Sequence, residues 1–230
     1  ANYGVYGEAS GKKLVYRVIA DCACRNNQIY DEWLVRDQGA IIRQLGLDPK
    51  KYAGKLIQDE GGINKCSTPF NQATPNNVSI DGVYKAPTIS KENTGTRYAD
   101  ILKKIFNKDL KVVEKNYDRA VKQEQPGGFT RHGREEVTNF WNTLISAFPD
   151  SKFTVEHISY IDEKNQSKKA AIRWSLIGAH SGKGNFGNPS NASVYVMGIS
   201  HVEFGARGIK NEWVLFDETI IWKQILMKTG

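Results

Sequence analysis

The sequence predicts an α+β fold in which helices pack on one face of an antiparallel sheet. Two observations lead to this class. A strand–turn–strand segment occurs near both ends of the chain at a constant offset, and three helical segments precede its second copy. With 230 residues, the chain is long enough for one large domain or for two domains of ordinary size.

The repeat appears when the chain is shifted by 180 positions against itself. Residues 7–46 then align without a gap on residues 187–226, and nine of the forty positions are identical. The identical pairs include Trp33 with Trp213 and Asp37 with Asp217. A tryptophan followed four residues later by an aspartate in both copies indicates duplication rather than chance.

Each copy is rich in β-branched and aromatic residues on both sides of a short polar turn, which predicts a β-hairpin. The turns fall at residues 25–28 and 205–208. Apolar residues at helical spacing predict helices over 98–106, 110–117 and 133–148, and two further strands are predicted over 153–161 and 170–180. Helices therefore come first and an antiparallel meander follows.

These elements divide the chain into three parts. Residues 94–230 form a complete domain, residues 1–46 form the C-terminal half of a first domain, and residues 47–93 form a linker with a short helix over 49–58. Because the first copy has no helical half before it, we expect that Ala1 is not the biological start. The alternative is a swapped arrangement in which another chain completes the half domain.

Composition excludes several classes of function. The apolar content of 40% and charged content of 25% are typical of a globular chain, and no run is long enough to span a membrane, so a cytoplasmic protein is expected. The net charge of +7 is spread over lysine doublets, which argues against a nucleic-acid partner. Cys22, Cys24 and Cys66 have no metal-ligand spacing, and neither a phosphate loop nor a nucleophile elbow is present. No metal or cofactor is therefore predicted.

Three runs within the complete domain, residues 94–230, carry a family resemblance. AFPDSKFTVEHI, AAIRWSLIGAHSGKGNFG and GISHVEFGARGIKNEWVLFD are similar in order and spacing to the SnoaL-like polyketide cyclases of the nuclear transport factor 2-like superfamily. The first copy matches the end of that pattern with IYDEWLVRDQGAIIRQLG. The resemblance covers roughly residues 94–227 and 1–46. The loop GKGNFGNPSN and His132 depart from the family pattern.

The resemblance implies a cone in which a curved sheet and helices enclose an apolar pocket, without a cofactor. It also implies pairing through the outer sheet face, either as a homodimer or between domains. In such cyclases an aspartate acts as acid and base for an aldol ring closure. That chemistry needs a carboxylate whose pKa is raised by apolar surroundings, and donors for the enolate oxygen.

Asp217 and Asp37 are the catalytic candidates, because strand alternation places them on the faces of Trp213 and Trp33. A turn or cap role is the alternative for both. The ligand-binding candidates are aromatic or basic residues of the two copies and of the preceding elements, namely Trp213, Trp33, His180, His201, Arg173 and Trp141.

The faces on which His201, Glu32 and Glu212 lie depend on strand register or alternation. A four-residue turn would put His201 on the face opposite Asp217, and a slip of one residue would reverse this. Glu32 and Glu212 alternate away from the tryptophans and are expected outside. Arg173 is expected to pair with a carboxylate or to point outward.

Two functions follow from these candidates. One is a cofactor-independent cyclase or isomerase acting on a small apolar carbonyl compound, with Asp217 and Asp37 as acid and base. The other is a non-catalytic module that binds a small apolar molecule or uses its sheet for assembly. A buried Asp217 with a raised pKa facing a cavity would favour the enzyme.

Overall fold

The computed structural model of the protein describes residues 4–67 and 92–230. Its larger sheet has six strands, and the predicted α+β class is confirmed. In chain order the strands of this sheet are β3 (Tyr117–Gln125), β4 (Phe129–His132), β5 (Lys152–Ile161), β6 (Lys169–Ala179), β7 (Ser193–Gly205) and β8 (Gly208–Phe216). Their spatial order is β4-β3-β8-β7-β6-β5, and all neighbours are antiparallel except β3 and β8, which run parallel.

Strands β3 and β4 are absent from the sequence prediction, which extended a helix to residue 117 and assigned nothing to residues 118–132. β3 reads YDRAVKQEQ, so it lacks the aliphatic alternation of a typical strand. Its buried positions include the polar Gln123 as well as Val121. The interior that β3 faces is partly polar. Because the buried positions of β3 are not all apolar, a search for alternating hydrophobic residues does not detect this strand.

The inner face of the six-stranded sheet is covered by helices. They are α3 (Thr94–Phe106), α4 (Lys111–Asn116) and α5 (Arg134–Ala147), close to the predicted ranges. Asn93 caps α3 through a reciprocal capping box with Thr96. Trp141 of α5 and Trp174 of β6 are both fully buried where helices and sheet meet. Gly198 of β7 leaves the space that the Trp174 ring fills, because a Cβ there would overlap the ring.

The first copy forms a separate two-stranded sheet, β1 (Val18–Arg25) and β2 (Gln28–Arg36), followed by helix α1 (Gln38–Gln44). Its register repeats that of β7 and β8 at an offset of 180. A β-bulge lies between Ala23 and Cys24 in one hairpin and between Glu203 and Phe204 in the other. Helix α6 (Glu218–Thr229) follows β8 as α1 follows β2. The two segments therefore have the same local structure, and their origin from two tandem domains stays a hypothesis.

The hairpin packs on the outer face of the large sheet. Ile19 and Val35 contact Ile199 and Leu215, which are the residues at equivalent positions of the second copy. Each hairpin therefore presents the same pair of positions to the other. The contact is therefore made by equivalent positions of the two hairpins.

The helix predicted within residues 47–93 is α2 (Pro49–Asp59), which packs against α6. Lys50 lies over the Trp222 ring, and Lys223 pairs with Glu60. A 3-10 turn, Ile63–Lys65, follows α2. Most of the least regular segment of the predicted linker, residues 68–77, lies outside the described residues. No helix in the described ranges is both long enough and apolar enough to cross a membrane.

Candidate functional site

Asp217 is the residue between β8 and α6, and it forms the N-cap of α6. Its Oδ1 accepts hydrogen bonds from the backbone N and from Oγ1 of Thr219, at 2.8 and 2.7 Å. Burial raises the pKa of this carboxyl to about 6, and the bonds from Thr219 only partly oppose the rise. Asp217 therefore has the raised pKa that the acid–base hypothesis requires, together with the cap role that was its alternative.

Asp37 occupies the equivalent position before α1 and is only 1% exposed. Its Oδ1 accepts from the backbone N of Ala40 at 3.0 Å and of Gly127 at 2.8 Å. Its Oδ2 accepts from the backbone N of Gly128 at 3.0 Å. Asp37 thus caps a helix of the first copy and at the same time holds the turn between β3 and β4.

His201 lies directly opposite Trp213 in the β7–β8 ladder, on the outer face of the sheet. The register expected for a four-residue turn, with Ser200 opposite Trp213, is wrong. The bulge leaves Lys210 of β8 without a partner in the ladder, so β8 has one extra residue there and every pair beyond the bulge is shifted. His201 and Trp213 consequently both face the β1–β2 hairpin and point away from the helices.

Glu212 was predicted to lie outside, and this prediction is wrong. It is completely buried on the inner face, where Oε1 accepts from the hydroxyls of Tyr98 and Tyr117, each at 2.8 Å. Oε2 accepts from Nε2 of Gln123 at 2.7 Å. Burial raises the pKa of Glu212, although these donors stabilise its charged form.

The equivalent residue of the first copy, Glu32, is exposed as predicted. Both glutamates point away from their tryptophan, so strand alternation is the same in the two hairpins. Helices α3 and α5 cover that face only in the second copy. The buried environment of Glu212 therefore comes from the helices and could not be inferred from its own strand.

Trp141 and His180 are fully buried in the core. Nδ1 of His180 lies 3.0 Å from Oγ of Ser190, and the imidazole packs against Phe148 and Phe186. Burial lowers the pKa of His180, which favours the neutral ring. Neither side chain faces the cavities of the outer sheet face.

A groove of about 620 Å³ lies between β1 and the outer face of the large sheet. It is lined by residues 17–20, 159–161, 169–171 and 201–203 and by Trp213. Most of this lining is apolar, and its charged and polar groups come from Arg17, Ser159, Tyr160, Lys169, His201 and Glu203. His201 and Trp213 are thus brought into one cavity.

A smaller cavity of about 220 Å³ adjoins the groove and shares Ala20, Ser159, Ala171 and His201 with it. Arg173, expected to pair with a carboxylate or point outward, lines this cavity and donates from Nε to Asp21 at 2.7 Å. The guanidinium lies 4.0 Å from the centre of the Trp33 ring. The first copy therefore supplies both the carboxylate and the aromatic ring that hold Arg173.

Neither outer cavity is lined by Asp217, Asp37 or Glu212. Within residues 4–67 and 92–230, no group of three or more His, Cys, Asp or Glu residues is arranged to hold a metal ion. Cys22, Cys24 and Cys66 are not joined to one another by disulfide bonds. The outer cavities therefore offer apolar contact together with two guanidiniums (Arg17, Arg173), the ammonium of Lys169, two imidazoles (His157, His201) and two carboxylates (Asp21, Glu203).

The helices on one face of a curved sheet and the sequence of the second copy define a SnoaL-like domain. The family model of the SnoaL-like polyketide cyclases matches residues 96–225, and the chain belongs to this family. This confirms the family inferred from the sequence motifs. No curated protein matches the chain.

Several solved structures resemble part of the chain. A protein named as a putative SnoaL-like polyketide cyclase, from Jannaschia sp. CCS1, is 15% identical, with a TM-score of 0.48 over 60% of this chain and 97% of its own. For IdmH from Streptomyces antibioticus, titled a putative polyketide cyclase, the identity is 17% and the TM-score 0.46, over 58% and 99%. Another protein named as a putative SnoaL-like polyketide cyclase, from Shewanella putrefaciens CN-32, is 14% identical. Its TM-score is 0.47, over 64% of this chain and 99% of its own.

Proposed function

We propose that this protein binds a small, largely apolar carbonyl compound in the groove between β1 and the outer sheet face. The observation that carries the proposal is the groove itself, with about 620 Å³ of space and a mainly apolar lining. Small-molecule sites usually have about 300–1,000 Å³ and a few polar groups among apolar walls. His201 and Trp213 lie in this lining and supply a polar contact and an aromatic surface.

The packed interior of the domain favours the outer groove as the binding site. Trp141, Trp174 and Glu212 are fully buried between the helices and the sheet. A ligand that entered there would have to displace aromatic side chains and break the hydrogen bonds of Glu212. The groove needs no such rearrangement.

The hairpin forms one wall of the proposed site. β1 contributes residues 17–20 to the lining, and Ile19 also packs against Ile199 and Leu215. We infer that pairing of the first copy with the outer sheet face creates the site. In this proposal the pairing between the two parts of one chain serves ligand binding.

Binding can be measured by calorimetry with 2-acetonaphthone, a neutral aromatic ketone. Wild-type protein is expected to bind it saturably, and Ala171→Phe is expected to weaken binding by about tenfold or more because the ring would fill the groove. Ala179→Phe is the matched control, since Ala179 is exposed near the far end of the same strand. Absence of binding to the wild type, or equal binding to both variants, would contradict the proposal.

A second candidate function is acid–base catalysis by Asp217 on a compound of the same class, and the raised pKa of Asp217 favours it. Asp217 lines neither outer cavity, so the compound would have to reach it at a position outside the groove. A carboxylate that removes a proton next to the carbonyl would exchange the methyl hydrogens of 2-acetonaphthone for deuterium in D₂O. Exchange seen by NMR above the buffer rate, and lost in Asp217→Asn, would favour the cyclase or isomerase. Binding without exchange would favour the non-catalytic module.

A further inference from the structure

One edge of strand β1 has no partner strand. Within the described ranges, β2 is the only strand that pairs with β1. The backbone N of Asp37 donates to the carbonyl of Arg17 at 2.9 Å, so Arg17 and, by alternation, Ile19 direct their backbone groups toward β2. The N–H and C=O groups of Val18 and Ala20 therefore point to the opposite edge, which we call the open edge of β1.

The open edge of β1 borders the groove on the outer face of the large sheet. Residues 17–20 of the first copy line this groove, whereas no residue of β2 does. Val18 and Ala20 are both exposed. The open edge can therefore offer two N–H donors and two carbonyl acceptors to a molecule in the groove.

The second copy has an extended strand at the equivalent edge. Strand β7 is the equivalent of β1, and it pairs with β8 on one edge and with the antiparallel strand β6 on the other. Ser200, the equivalent of Ala20, lies opposite Ile172 of β6. An extended peptide would match the open edge of β1 in the same way, because its N–H and C=O groups alternate with the same period.

The charges of the groove favour a peptide that carries a carboxylate. Arg17 and Lys169 line the groove together with a single carboxylate, that of Glu203, so the lining has an excess of positive charge. Burial lowers the pKa of His201, so its imidazole is neutral at pH 7 and does not change this balance. The rest of the lining is mainly apolar and suits aliphatic or aromatic side chains.

We propose that the groove binds a short, extended, largely apolar peptide with a free C-terminal carboxylate, which adds to the open edge of β1 as an antiparallel strand. Alternate residues of the peptide exchange N–H···O bonds with Val18 and Ala20, and its apolar groups pack against Ala171 and Trp213. This inference rests on the proposed function and names the carbonyl compound as a peptide amide.

Calorimetry with 2-naphthoyl-trialanine and its three single amide-to-ester analogues tests this inference on the wild-type protein. The peptide is expected to bind about tenfold more tightly than 2-acetonaphthone, because it adds at least two backbone hydrogen bonds. Replacing one N–H by an ester oxygen should weaken binding about fivefold at alternate residues and leave it unchanged at the others. If neither the ketone nor the peptide binds, the proposed function fails. If the ketone binds and the peptide does not, or if the peptide and all three esters bind alike, the groove function stands and the strand addition is overturned.

Ala20→Pro tests the open edge itself. Proline removes the N–H of residue 20 and places its ring at the open edge without loss of a bond to β2, so peptide affinity should fall about tenfold or more. Leu34→Pro is the matched control, because Leu34 lies opposite Ala20 and directs its N–H to the other edge of the hairpin, outside the groove. Equal peptide affinities of the two variants would overturn strand addition to β1. Should Ala20→Pro fail to fold, the ester series on the wild type still decides the inference.

Discussion

Replacing Asp37 by Asn should lower the free energy of unfolding by about 3 kcal/mol at pH 7, as measured by urea denaturation. Both carboxylate oxygens accept from backbone N–H groups, namely those of Ala40, Gly127 and Gly128. An asparagine can place only one oxygen there. Its NH₂ group would face another donor at a site that is 1% exposed. The loss would also loosen the hold of the first copy on the large domain.

Asp48→Asn is the matched control for this prediction. Asp48 caps α2 through a single bond from the backbone N of Lys51, and it is exposed. Asparagine caps helices about as well as aspartate, so this variant should change stability by less than about 0.5 kcal/mol. Equal effects at Asp37 and Asp48 would show that Asp37 is an ordinary cap and does not clamp the β3–β4 turn.

Much of the fold was accessible from the sequence because the repeat and the hydrophobic patterns are local signals. The helix over residues 133–148 was visible from apolar spacing alone, and the structure places it at Arg134–Ala147. The repeated Trp33 and Trp213 located two hairpins whose pairings agree position by position. Helices and hairpins that are determined by the residues of a single segment could therefore be predicted.

The environments of the candidate site residues were harder to predict, because they depend on residues far away in the sequence. His201 changed face because of a bulge, which no composition signal marks. Arg173 acquires Asp21 and Trp33 from a hairpin more than a hundred positions away. An Arg within the apolar run AAIRWSL was the one local sign of this cluster.

Asp217→Asn is expected to make the protein more stable than the wild type above pH 7, in contrast to the same change at Asp37. The pKa of Asp217 is raised from 3.8 to about 6 in the folded state, so the native protein binds the proton more tightly than the unfolded chain does. The protonated carboxyl of Asp217 therefore makes its full contribution to the free energy of unfolding below pH 3.8, and this contribution is lost as the pH rises through 6. A shift of about two units corresponds to about 3 kcal/mol.

The asparagine keeps the cap, because both bonds from Thr219 reach the single atom Oδ1. Unfolding free energies of the wild type and the variant, measured from pH 3.5 to pH 8, should therefore diverge in favour of the variant by about 3 kcal/mol. A wild-type minus Asp217→Asn difference that stays flat over this range would mean that the carboxyl of Asp217 titrates as in the unfolded chain, and the acid–base candidate would lose its main support.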